Sequence, residues 1–159
     1  LYLFETNSTT PKMSNILLSQ NALDTYNTKV KPDKANGFGF FVIENEKTVE
    51  CKEIVGAEGK STTETWAAVT SKVASEYRDK PAYIVGNFAY SIADGERKKL
   101  ILVSWCPEDK IKVKAKMLHG SSLQSVKTGM DGVQAAAIVC TTLAELEHAN
   151  ILSVVTSGK

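Results

Sequence analysis

Residues 100–125 read LILVSWCPEDKIKVKAKMLHGSSLQS, and the fold turns on how the second half of this stretch is taken. The first half is plain. Leu100 to Trp105 is apolar and β-prone, and Pro107 closes it because proline cannot donate to a ladder. Beyond Pro107 two periods compete. By alternation, Ile111, Val113 and Ala115 against Lys112, Lys114 and Lys116 make an amphipathic strand. At about 100° per residue, Lys110, Lys114, Met117, Ser121 and Gln124 share one face, while Ile111, Ala115 and Leu118 share another. The helix is the favoured reading. It places Pro107, Glu108 and Asp109 in the first turn, where a fixed φ and negative charge suit a helix N-terminus.

Upstream, residues 82–92 and 99–105 are two strands joined by the turn Ala93-Asp94-Gly95-Glu96. Residues 37–43, rich in Phe, and Thr48–Val55 form an earlier pair around Asn45-Glu46-Lys47, with a loop over 56–60. Ser19 caps a helix over about 20–30, which Pro32 stops. Ser61 or Thr62 caps a second, with Trp66, Val69, Val73 and Tyr77 as its buried stripe and Pro81 as its end. Downstream, the helical stretch breaks near Gly129, residues 133–140 form a strand, and 142–151 a short helix. The order is αββαββαβα. Two hairpins exclude an all-parallel sheet, so the expected architecture is α/β (α+β), a mixed sheet with helices on both faces.

The 159 residues fit one domain, expected over 13–159. Residues 1–12, LYLFETNSTTPK, carry no periodicity, and Met13 reads as a native start, so 1–12 are taken as an appended remnant or disordered extension. No run approaches 18 apolar residues. Three widely spaced cysteines (Cys51, Cys106, Cys140) and two histidines (His119, His148) lack disulfide-framework or metal spacing, so no metal or other cofactor is expected. Net charge is +1, yet residues 97–116 hold seven basic and two acidic residues. One short segment carries the positive field, which points to an acidic partner surface.

The residues now meet a known family. The strand ending Trp105-Cys106-Pro107-Glu108, the basic run Lys114-Ala115-Lys116-Met117 and the pair Ser121-Ser122 closely resemble the signature of the actin-depolymerising factor/cofilin family. Met13-Ser14-Asn15-Ile16, residues 81–90 and Gly132-Val133-Gln134 support the resemblance, and element order agrees over 14–150. The resemblance implies the ADF-homology fold, a mixed sheet of about five strands between helices, and puts the Lys-x-Lys-Met run on a helix. It also implies a monomeric, cytoplasmic, cytoskeletal protein that binds actin monomers and filaments and promotes filament depolymerisation and severing. The implied monomer-binding surface is Lys114, Lys116, Met117 and Ser121 with Ser14, Asn15 and Ile16, and Ser14 is the implied phosphorylation position. The implied filament surface keeps Glu96, Arg97 and Lys98, but the last helix, with two acids and no Lys or Arg over 143–150, departs from the family pattern. That departure points to a monomer-sequestering or weakly severing member.

Other classes fit less well. An enzyme reading pairs Cys106 with His119 as base but lacks a second Cys at C-x-x-C spacing, and no phosphate-binding glycine motif appears, so no catalysis is expected. Nucleic-acid binding would need aromatics among the lysines, and residues 108–125 contain none. Phosphoinositide binding by the same lysines is the alternative, as in an ADF-homology module of coactosin type without depolymerising activity.

Overall fold

A computed structural model describes residues 16–32, 37–56, 62–108, 111–133 and 137–157. The elements are β1 (Leu17–Leu18), α1 (Gln20–Thr25) continuing as a π-helix (Tyr26–Val30), β2 (Phe38–Glu44), β3 (Thr48–Val55) and α2 (Thr62–Glu76). There follow β4 (Ala82–Ile92), β5 (Gly95–Trp105), α3 (Val113–Gly129), β6 (Ile138–Cys140), a 3₁₀ turn (Ala144–Leu146) and α4 (His148–Ser157). The strands form one mixed sheet in the order β1-β3-β2-β4-β5-β6. Both hairpins pair antiparallel, and the two edge strands pair parallel.

Alternation along the central strands builds two cores. Ala82, Ile84 and Phe88 of β4, with Ile101, Val103 and Trp105 of β5, face α2 and α4. Tyr83, Val85, Leu100 and Leu102 face the opposite way, toward α1 and α3. The α2 stripe Trp66, Val69, Val73 and Tyr77 is buried as its spacing requires. Indole N–H groups tie the first layer together: Trp66 donates to the Leu146 carbonyl at 2.5 Å and Trp105 to that of Tyr77 at 2.7 Å.

The mixed sheet between helices is the expected architecture, and among the described residues it has six strands, because Leu17 and Leu18 pair with Thr48 and Val49. A two-residue strand is too short for alternation to show. The β4–β5 turn is tighter than the four residues proposed. Pairing runs to Ile92 opposite Gly95, whose φ of 124° suits a residue without Cβ. Only residues 138–140 of the expected strand over 133–140 pair, and 134–136 lie outside the described residues. The last helix starts later than residue 142 and ends later than residue 151, at Ser157. The Glu145 carboxylate accepts from the backbone N–H of Thr141 and Thr142, and Glu147 turns extended (ψ 144°), so a 3₁₀ turn precedes α4. Those two acids are therefore not on the final helix. The loop over 57–60 also lies outside the described residues.

Candidate functional site

The segment whose period was ambiguous is a helix, but it begins six residues after Pro107. The Cys106 N–H still donates to the Cys140 carbonyl at 3.0 Å and Pro107 is buried, so the chain must leave the sheet before it can coil. Lys112 is the N-cap, with extended ψ of 147° and no side-chain cap, and no acid occupies the first turn. The expected dipole partnership of Glu108 and Asp109 is thus absent at this helix start. Asp109 and Lys110 lie outside the described residues.

What orients α3 is His119. Its ring is 2% exposed and stacks on Tyr83 with centroids 4.1 Å apart and planes 10° from parallel. Its Nε2 lies 2.9 Å from Ser104 Oγ, and its backbone carbonyl accepts from the Tyr83 hydroxyl at 2.5 Å. Tyr83 and Ser104 are cross-strand partners in β4 and β5. One histidine therefore pins the helix to two strands. With His119 pointing inward, about 100° per residue puts Met117 and Ser121 roughly 160° away and Lys114 roughly 140° away. All three are exposed, Met117 by 67%. Lys116, roughly 60° from the inward direction, is half-buried and donates to the Glu108 carbonyl. Val113, one turn before Met117, is also exposed and extends the apolar part of the stripe. In the sequence Val113 stands out only under the alternating period, which groups it with Ile111 and Ala115.

Burial pushes the His119 pKa down to about 4. Its Nε2 is engaged by Ser104 Oγ, and the Cys106 thiol is pushed up by burial, opposed by Lys116. Among the described residues, no group of three or more His, Cys, Asp or Glu could hold a metal, and no helix is long and apolar enough to cross a membrane.

The other expected residues are scattered. Ile16 is 4% exposed and sits in the α3-side core, so it cannot offer its side chain to a partner; it anchors the segment instead. Alternation turns Leu17 outward and Leu18 back in, against Gly129 at the end of α3. Ser14 and Asn15 lie outside the described residues. Glu96, Arg97 and Lys98 are exposed near the tip of the β4–β5 hairpin. Arg97 lies seven residues along β5 from Ser104, about 23 Å at ~3.3 Å per residue. About midway along the hairpin Lys99 ties it to α4, its ammonium donating to the Val155 carbonyl at 2.8 Å. α4 itself carries neither Lys nor Arg. The structure thus brings Lys114, Met117 and Ser121 together, flanks them with Lys116, and leaves the hairpin charges as a separate patch.

A family model described as cofilin/tropomyosin-type actin-binding protein matches residues 15–156. Cofilin of Yarrowia lipolytica is 29% identical over 151 residues, covering 94% of this chain and 92% of that protein. Cofilin of Gibberella zeae is 31% identical over 80 residues, 49% of this chain and 51% of that protein. Among solved structures, Streptomyces griseoflavus cofilin matches with a TM-score of 0.72 at 23% identity, covering 91% of this chain and 99% of that one. Human coactosin-like protein matches at 0.70 and 19% identity, covering 90% of each chain. At those identities the structural likeness speaks for the fold. The family model spans nearly the whole chain, from just before β1 to the last turn of α4, and with it the chain belongs to the cofilin/tropomyosin-type actin-binding protein family.

Proposed function

We propose that this protein binds actin monomers and filaments through the outward stripe of α3, promotes filament depolymerisation, and works as a cytoplasmic, cytoskeleton-associated monomer. The observation that carries the reading is Met117, 67% exposed on a helix whose inward face is locked by His119. A large flexible thioether between an exposed lysine and a serine suits insertion into an apolar cleft with an acidic rim. Family membership and the cofilin names of the relatives supply the partner. No chemistry is needed: a binder with unequal affinity for two filament conformations shifts their populations. The hairpin residues Glu96, Arg97 and Lys98 form the filament surface. A final helix without Lys or Arg makes that surface weak, so monomer binding outweighs severing.

The test is co-sedimentation and pyrene-actin kinetics with Lys114→Ala and Met117→Ala. Each removes an exposed side chain, so melting should be unchanged while affinity drops about tenfold, the scale of a hot-spot loss above 1 kcal/mol. Unchanged affinity in both variants would refute the reading. Ser14 is proposed as a phosphorylation site, where about −1.5 to −2 charges beside a cationic contact weaken binding; Ser14→Glu should lower actin affinity. Phosphoinositide binding is the second reading, supported by exposed Lys112 and Lys114 at the same helix start. Liposome pelleting with Lys112→Ala/Lys114→Ala separates it from actin binding.

A further inference from the structure

The turn between β2 and β3 holds a residue that its backbone disfavours. Asn45 and Glu46 both lie in the left-handed region, with φ of 52° and 58°. Those dihedrals are of the type I′ kind, which prefers Asn followed by Gly, here within the three residues between paired Glu44 and Thr48. Asparagine fits; glutamate at the second position runs against local preference, since its Cβ crowds the backbone there. The turn is closed by the Lys47 N–H donating to the Glu44 carbonyl at 2.9 Å, and the Glu44 carboxylate pairs with Lys52 at 2.8 Å. From this braced position Glu46 Oε1 reaches Lys114 Nζ at 3.1 Å. The two residues are 68 apart in sequence, and Lys114 belongs to the stripe assigned above. Both side chains are more than half exposed and line a groove of about 780 Å³ that also meets Lys112, Ala115 and Leu118. Solvent, or a partner's carboxylate, can reach the pair.

We infer that Glu46 is an affinity-setting residue that competes with an acidic partner surface for Lys114, holding the binding face below its attainable strength. The inference rests on the reading of α3 as the actin-binding face. Docking an acidic surface there requires Lys114 to exchange one carboxylate for another, and the freed Glu46 then faces the incoming negative charge. Both effects oppose binding. An exposed ion pair is weak, so the expected gain on removing it is small, about two- to fivefold. Because the opposing charge is exposed, salt screens it. A local conflict kept in a hairpin turn is the kind of feature that a functional role accounts for.

The experiment measures the affinity of the full chain for fluorescently labelled actin monomers at about 50 and 200 mM salt, conditions that bracket the screening range. Glu46→Gln should tighten binding about two- to fivefold at the lower salt and less at the higher. In a Lys114→Ala background the same change should gain nothing. Glu46→Gly should reproduce the tightening and also raise the melting temperature, since glycine relieves the left-handed position. If the parent protein binds and Glu46→Gln is equal or weaker, Glu46 orients Lys114 rather than competing for it, and this inference falls alone. A gain that persists without Lys114 also overturns it. A parent protein that does not bind actin removes this inference and the proposed function together.

Discussion

Protonation of His119 should cost this fold dearly in mild acid. The ring is buried between Tyr83 and Ser104, and desolvation holds its pKa near 4, against 6.5 for an unhindered imidazole. Above pH 6.5 the ring is neutral folded and unfolded, and proton uptake takes nothing from stability. Between 6.5 and about 4 the unfolded chain binds a proton that the folded chain refuses, so stability falls as pH falls. At about 1.36 kcal/mol per pH unit the full loss is roughly 3 kcal/mol, most of which should be gone by pH 4.5. The stacked Tyr83 face would favour an imidazolium slightly, which makes these upper figures. The assay is urea unfolding from pH 7 to 4.5 for the parent and for His119→Phe/Ser104→Ala. That double change removes both polar partners and leaves no orphaned hydroxyl. Titrations elsewhere are common to both proteins and cancel in the difference. The gap between the two curves should shift by roughly 2 kcal/mol in favour of the variant as pH drops. Parallel curves across that range would refute the reasoning, because they would mean that His119 takes up a proton in the fold as easily as outside it.

Three further outcomes are expected. Ile16→Ala should destabilise the protein by about 2–4 kcal/mol in denaturant unfolding, while Leu17→Ala stays within ~0.5, because only Ile16 is buried. Gly86→Ala should lose about 1–3 kcal/mol, since a Cβ there would come within 2.6 Å of the Phe38 ring and 2.7 Å of the Gly37 carbonyl oxygen. Gly120→Ala should gain about 0.5–1 kcal/mol, seen as a higher melting temperature, because a Cβ on that exposed helical position meets nothing within 4 Å.

Much of the architecture is written in local patterns. The two hairpins, the α2 stripe from Trp66 to Tyr77 and the Ser19 cap, which accepts from the Ala22 N–H at 3.0 Å, all follow from periodicity and turn chemistry. The basic segment with its Lys-Met-Ser spacing is equally legible, as is the lack of Lys and Arg in α4. These features depend on residues within a few positions of one another, and that is the range over which a one-dimensional pattern carries information.

The rest was decided by contacts between distant parts of the chain. Periodicity says that Lys114, Met117 and Ser121 share a face; it does not say that this face points outward. His119 decides that, through Tyr83 and Ser104, which lie 36 and 15 residues away. The same holds for the start of α3, delayed while Cys106 still pairs with Cys140, and for Ile16, buried because β1 joins β3. The charge that answers Lys114 comes from Glu46 in a hairpin turn. Each is a hydrogen bond, burial or ion pair whose partner is set by the packing of the sheet, so it exists only once the tertiary structure has formed.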